Sequence, residues 1–191
     1  MKSSIPSPAD HDEHRKICDY IKSKVRSIPD WPIKGVIFRD ITTLLQDPVA
    51  HREISNIFYN RYVNKNIDKI VGIDARGFLF GAVLAYKLDV GFIPIRKNGK
   101  LPFTTISESY TLEYGEATIE MHADALTRGE RVVIIDDLIA TGGTIAAAVN
   151  LVEKLGGEIV ECAFVVELPD LKGKEKLGNQ KVFSIIEFEG E

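Results

Sequence analysis

The chain has 191 residues, 45% of them hydrophobic, and a formal net charge of −4 at pH 7. That length suits one good core and is short for two, so a single domain over 1–191 is expected. The mildly acidic balance argues against general electrostatic attraction to nucleic acid or an anionic membrane, no run is long and apolar enough to span a bilayer, and the polar opening MKSSIPSPADHDEH lacks a signal-peptide core.

Ser3 to Pro8 is rich in serine and proline and reads as frayed, with residues 1–12 taken as flexible. From about Asp12 the pattern predicts an amphipathic helix, because Ile17, Tyr20, Ile21, Val25 and Ile28 recur at helical spacing. Pro29-Asp30-Trp31-Pro32 ends it. Gly35 to Leu45 reads as an irregular apolar segment. Asp47 and Pro48 suit an N-cap and a first helical residue, and the helix after them presents Ile54, Ile57, Phe58 and Tyr62 on one face.

Lys69 to Asp74 (KIVGID) predicts a buried strand, Gly77 to Leu88 a covered apolar helix, and Gly91 to Arg96 another short strand. From Lys97 to His122 the pattern turns polar and alternating. Ser109–Glu113 and Ala117–His122, on either side of Tyr114-Gly115-Glu116, predict a β-hairpin polar enough to project from the sheet. Ile145, Ala148, Val149, Val152 and Leu155 form a helical stripe that Gly156-Gly157 closes. Ile159–Leu168 and Val182–Phe188 read as further strands. Strands alternating with helices imply an α/β fold with a mostly parallel sheet. Cys18 and Cys162 lack metal-ligand spacing and read as reduced thiols. His11, His14, His51 and His122 form no cluster, so no zinc site is expected.

The segment Arg131 to Thr144 (RVVIIDDLIATGGT) carries the strongest functional signal. Val132 to Ile135 is a continuous β-branched run, which fits a strand covered on both faces. Asp136 and Asp137 then stand at its carboxyl end, where open α/β sheets bind ligands. Gly142 and Gly143 permit a tight turn and close approach to a ligand. The amides that open the next helix favour an anion. Acids for sugar hydroxyls beside a phosphate cradle make a site for a sugar phosphate. The segment lacks the Gly-Lys-Ser/Thr ending of a Walker loop and the G-x-G-x-x-G of a dinucleotide fingerprint.

This segment resembles the phosphoribosyl-diphosphate signature of the type I phosphoribosyltransferases. GVIFRDI (35–41), GIDARGFLFG (72–81), IRKNGKLP (95–102), SYTLEYG (109–115) and VELPDLKGKEKL (166–177) resemble, in that order, the adenine phosphoribosyltransferase family. The likeness runs from Ile28 onward; Lys34 and Phe103-Thr104 depart from the family pattern, and the first dozen residues match nothing in it. The resemblance implies a single phosphoribosyltransferase domain with the type I fold: a mostly parallel central sheet with flanking helices, a small N-terminal hood and a projecting hairpin lid. It implies purine salvage, with adenine and 5-phospho-α-D-ribose 1-diphosphate giving AMP and diphosphate. It also implies Mg²⁺ held mainly by substrate oxygens and water rather than by protein ligands, and a cytosolic homodimer with neither nucleic acid nor membrane as partner.

The resemblance implies these roles, position by position. Asp136 and Asp137 accept hydrogen bonds from the ribose hydroxyls, as ionised carboxylates can. Ala140, Thr141, Gly142, Gly143 and Thr144 hold the 5′-phosphate. Asp74, Ala75 and Arg76 form a second strand–turn–helix loop for diphosphate, with Arg76 also counted as catalytic. Arg96, Lys97 and Lys100 supply further cations for diphosphate, from the same chain or from a partner. Glu113 takes the purine ring proton, and Tyr114 closes over the sugar to exclude water. Ile37 and Arg39 contact adenine; Phe38 between them reads as core. Two rivals stand beside this reading: transfer to another purine, and a non-catalytic sensor that uses the phosphoribose signature to bind an effector.

Overall fold

Helix α1 (Pro8–Ser23) is the first element among residues 8–111 and 115–190, which the computed structural model describes. It starts four residues ahead of Asp12, with proline in the first turn, where a missing N–H breaks no helical bond. Residues 8–12 are therefore helical, and the rest of the expected frayed segment lies outside the described residues. The helix also ends early. Ile28 is not on its stripe but on strand β1 (Arg26–Pro29), because a residue before proline is driven out of the helical region.

β1 pairs antiparallel with β2 (Ile37–Asp40), with Ile28 opposite Phe38. Gly35–Leu45 is thus ordered rather than irregular: β2 leads into a short helix α2 (Thr42–Leu45). Asp40 Oδ1 accepts from the Thr42 amide at 2.8 Å and from the Thr42 hydroxyl at 2.6 Å, which turns the chain into that helix. Trp31 meets Phe38 edge to face across the turn, 4.4 Å between ring centroids.

Helix α3 (Pro48–Tyr62) begins as the sequence predicts. Asp47 Oδ1 accepts from the amides of Val49 and Ala50 at 3.0 and 2.9 Å, and Oδ2 from the Tyr20 hydroxyl at 2.9 Å. Those donors and Lys24 hold its carboxyl well below the usual carboxylate range, the Lys24 hydrogen bond foremost. The chain divides into two compact units, Met1–Ile54 and Ser55–Glu191.

The second unit is built on a seven-stranded sheet. In chain order its elements are β3 (Lys69–Ile73), α4 (Arg76–Leu88), β4 (Gly91–Lys97), β5 (Thr105–Thr111), β6 (Glu116–His122), β7 (Arg131–Ile139), α5 (Gly143–Lys154), β8 (Glu158–Glu167) and β9 (Val182–Glu187). The strands lie in the order β5-β6-β4-β3-β7-β8-β9. β4, β3, β7, β8 and β9 run parallel, and the β5–β6 hairpin joins antiparallel at the β4 edge. The architecture is α/β with a mostly parallel sheet.

Alternation in the β7 run feeds both faces of this sheet. Val132 and Ile134 join Val71, Ile73, Ile93 and Ile95 in a core that the buried face of α5 (Ile145, Ala148, Val149, Val152) completes. On the other side α4 comes down on the sheet at Gly81. A Cβ there would stand 2.8 Å from the side chains of Ile135 and Phe92, so only glycine allows this approach. The face of α4 toward the sheet carries its buried residues. Leu79 and Tyr86 point outward, 46% and 87% exposed, because an outer-layer helix presents one stripe to the sheet. Among the described residues no helix is long and apolar enough to cross a membrane.

The hairpin does not stand free. β6 is bonded to β4 at Arg96↔Glu120 and Lys97↔Ile119, and Ile119 and Met121 are buried in the main core. Its polar strands reflect one solvated face rather than separation from the sheet.

At the amino end of β8, Glu161 is buried yet charged. It receives Arg61 at 2.5 and 2.8 Å and the Tyr62 hydroxyl at 2.8 Å, while the Arg61 guanidinium lies over the Phe183 ring, 3.8 Å from its centroid. This ties the end of α3 to β8. Burial raises the Glu161 pKa, but Arg61 and Tyr62 outweigh it, so its carboxyl sits below the usual range. Its contribution to stability is complete above the unfolded-state pKa and is lost as pH falls through the lower folded value. Glu161→Ala is expected to cost about 3 kcal/mol of unfolding free energy at neutral pH. Urea denaturation should show this deficit shrinking toward acid pH.

Candidate active site

The crevice follows from sheet topology. β3 passes through α4 to β4 on one side, and β7 passes through α5 to β8 on the other. The connections after β3 and β7 therefore part, and ligands bind at the carboxyl ends of strands where that happens. The register sharpens the opening. β3–β7 pairing stops at Gly72↔Ile135, while β7–β8 pairing continues to Ile139↔Glu167. Asp136 and Asp137 lie inside β7, not in a turn after it, because pairing with β8 continues past them.

Gly77 brings the other wall into place. A Cβ on it would stand 2.7 Å from the Ile135 carbonyl oxygen and 3.1 Å from the Asp136 Cα. Without one, the first turn of α4 rests on the β7 backbone. Arg76 then donates from Nε to Asp137 Oδ2 at 2.6 Å. Asp137 is 4% exposed, so this pairing compensates an acid that burial would otherwise penalise. Asp136 Oδ1 accepts from the Asp137 amide at 2.8 Å. Burial first, and then the adjacent Asp137 carboxylate, hold Asp136 well above the usual carboxylate range.

These groups line a cavity of about 420 Å³ with Ile73, Asp74, Ala75, Lys97, Tyr110, Leu138 and Thr144. A second cavity of about 100 Å³ adjoins it, lined by Ala140, Thr141, Gly142, Gly143, Thr144 and Ile145 and sharing Asp136, Leu138 and Thr144 with the first. The first bond that closes α5 runs from the Ala146 amide to the Gly142 carbonyl. The amides of residues 143–145 therefore have no acceptor within the helix. A small cradle faced by such amides suits a tetrahedral anion. Gly142 supplies the left-handed turn, φ 78°, that starts it.

The cradle is supported from behind. A Cβ on Gly142 would strike the Gly173 carbonyl oxygen, and one on Gly173 would strike the Ala140 carbonyl oxygen. Two backbones touch with no side chain between them, which fixes the height of the loop. Tyr110 of the hairpin lies on the other side, 3.1 Å from where a Gly143 Cβ would stand.

The basic residues divide by task. Lys97 reaches the larger cavity. Arg96 donates from Nε to Asp74 Oδ2 at 3.0 Å and from Nη1 to the Lys100 carbonyl oxygen at 3.1 Å. Lys100 is exposed and does not line the cavity. In the first unit, Ile37 and Arg39 lie on β2, where both are half-buried and Arg39 Nη1 donates to Ser27 Oγ at 2.7 Å. Glu113 and Tyr114 lie outside the described residues.

Asp74, Ala75, Arg76, Lys97, Asp136, Asp137 and Thr144 thus share one cavity, and Ala140 to Thr144 share its neighbour. Sequence reading overlooked Tyr110 and Gly173. Tyr110 is one polar-strand residue among several, and no local signal tells Gly173 from an ordinary turn glycine. Removing the like charge beside Asp136 should relax it. Asp137→Asn is expected to lower the Asp136 pKa toward the ordinary range, read by NMR titration of its carboxyl carbon; an unmoved titration would mean that the two acids do not interact.

Comparison with known proteins adds to this geometry. The family model for a phosphoribosyl transferase domain matches residues 40–191. The chain is 65% identical over 171 residues to the adenine phosphoribosyltransferase of Desulfosudis oleivorans, covering 90% of this chain and 99% of that one. A crystal structure of adenine phosphoribosyltransferase from Thermoanaerobacter pseudethanolicus superposes with a TM-score of 0.86 at 48% identity, over 90% of this chain and 99% of that one. The Saccharomyces cerevisiae enzyme, complexed with an imino-altritol bisphosphate and adenine, superposes with a TM-score of 0.85 at 39% identity, over 90% and 99%.

Proposed function

The chain belongs to the adenine phosphoribosyltransferase family, and we propose that its crevice between β3 and β7 joins adenine to 5-phospho-α-D-ribose 1-diphosphate, giving AMP and diphosphate. The activity is that of a glycosyltransferase of purine salvage, and the chain works as one phosphoribosyltransferase domain. The observation that carries this reading is the Asp136–Asp137 pair, with Asp137 braced by Arg76, next to a small amide-lined anion cradle.

In the proposed reaction the 5′-phosphate takes the amides and hydroxyls of Ala140 to Thr144. The ribose hydroxyls donate to Asp136 and Asp137, whose negative field also favours positive charge developing on the sugar ring. The diphosphate lies toward Asp74, Ala75 and Arg76, with Lys97 beside it and Arg96 and Lys100 behind. A purine ring nitrogen bonds to the anomeric carbon as the bond to diphosphate breaks. The ring proton passes to Glu113, and Tyr114 closes over the sugar, so that water is kept from an oxocarbenium-like centre. Ile37 and Arg39 contact adenine, a role supported by the GVIFRDI segment. A site built around the exocyclic amino donor of adenine would reject hypoxanthine, which has an acceptor there.

Mg²⁺ fits this arrangement as a passenger of the substrate. Among the described residues no group of three or more His, Cys, Asp or Glu is placed to hold a metal ion. Of the two crevice acids, Asp137 is engaged by Arg76, and burial opposes ionisation of Asp136. Such a donor set suits an ion that would be held by diphosphate oxygens and water. Once bound, it offsets charge on the leaving diphosphate. The same family resemblance makes a cytoplasmic homodimer part of the proposal, and the outward Leu79 and Tyr86 of α4 would suit a self-association surface.

The test offers purified protein the diphosphate sugar and Mg²⁺ with adenine, hypoxanthine, guanine or xanthine, and reads nucleotide by chromatography. AMP from adenine alone is the expected result. Product from another base would overturn the base assignment, and no product with the sugar diphosphate still bound would favour the sensor.

A further inference from the structure

One buried charge has no part in the mechanism above. Glu120, on β6, is 3% exposed. A buried carboxylate persists only if hydrogen bonds replace its water. Its partners come mainly from one place. Oε1 accepts from the Lys100 amide at 2.9 Å and from the Leu101 amide at 2.8 Å, and the Gly99 amide also stabilises the charge. Oε2 accepts from the Thr105 hydroxyl at 3.4 Å. A single side chain thus gathers the successive amides of the turn after β4.

That turn is gripped from its other side as well. Arg96 stands opposite Glu120 in the sheet register but bonds elsewhere, to the Lys100 carbonyl oxygen and to Asp74. Asp74 opens the loop that carries Arg76, and Lys97, at the start of the turn, lines the cavity. A continuous line of contacts therefore runs from Glu120 through the turn and Arg96 to the loop beside Asp136 and Asp137. With the turn's amides held inward, the Lys97 side chain lines the crevice and the Lys100 side chain is exposed to solvent.

We propose that Glu120 is a positioning residue for the diphosphate half of the site: it anchors the 97–101 turn, which Arg96 braces from behind, so that Lys97 meets the diphosphate in a fixed geometry. The inference rests on the transferase reading and assigns a task to a residue that touches no substrate.

The experiment compares wild type, Glu120→Ala and Glu120→Gln. Glu120→Ala is expected to raise KM for the diphosphate sugar about tenfold while leaving KM for adenine in place. Glu120→Gln, which keeps one acceptor but puts an amino group where Oε2 stood, is expected to raise it a few-fold, about threefold. Amide hydrogen exchange at Lys100 and Leu101 should quicken in both. Equal rises in both KM values, or unchanged exchange at those amides, would overturn the proposal as mere scaffold damage. If Glu120→Ala fails to fold, Glu120→Gln decides alone: unchanged exchange and KM would reject it. If wild type turns over no base, the transferase reading fails by itself. Calorimetry with inorganic diphosphate then judges Glu120: weaker binding by the variants supports the anchor and equal binding rejects it.

Discussion

The contact of α4 with β7 at Gly77 is the constraint on which the site depends. Because that position carries no Cβ, the helix can start against the backbone of Ile135 and Asp136. The same approach brings Arg76 to Asp137 and puts a helix amino end at the mouth of the crevice. A methyl group there would have to push α4 away from β7, which would part the arginine from its acid and widen the cavity. The end of β3–β7 pairing at Ile135 belongs to the same arrangement, since the chain after β3 leaves the sheet to enter α4.

Electrostatics within the crevice follow from that packing. Two adjacent acids in a buried strand share one guanidinium, and the arginine's bond goes to Asp137. Asp136 is left with a backbone amide and a neighbouring negative charge, so burial and repulsion push its proton affinity up. Arg76 offsets part of the cost of holding two acids here. A ligand that brings hydroxyl donors and cationic character to this place relieves both strains together. The neighbouring cradle, with helix amides and no carboxylate beyond Asp136 in its lining, has the opposite polarity. The juxtaposition of an acid-lined sugar site and an amide-lined anion site distinguishes this crevice from a plain acidic cleft.

Much of this was legible locally. Val132 to Ile135 has the unbroken β-branched pattern of a strand with two covered faces, and β7 has α5 on one side and α4 on the other. Asp47 and Pro48 marked the start of α3 because a cap is a contact between near neighbours. The misses came from partners far along the chain. β1 and β2 are short and only pair with each other, so Ile28 looked helical and Gly35–Leu45 looked irregular until the register was known. Tyr110, Gly173 and Glu120 likewise owe their places to Gly143, Gly142 and the 99–101 turn. Their own flanking residues carry no trace of that.

The most direct measurement is a crystal structure of the protein with AMP bound. The account predicts the 5′-phosphate against the amides of residues 141–144 and the ribose hydroxyls on Asp136 and Asp137, with Arg76 at the diphosphate side of the sugar. A phosphate seated elsewhere, or a ribose that leaves both aspartates untouched, would contradict it.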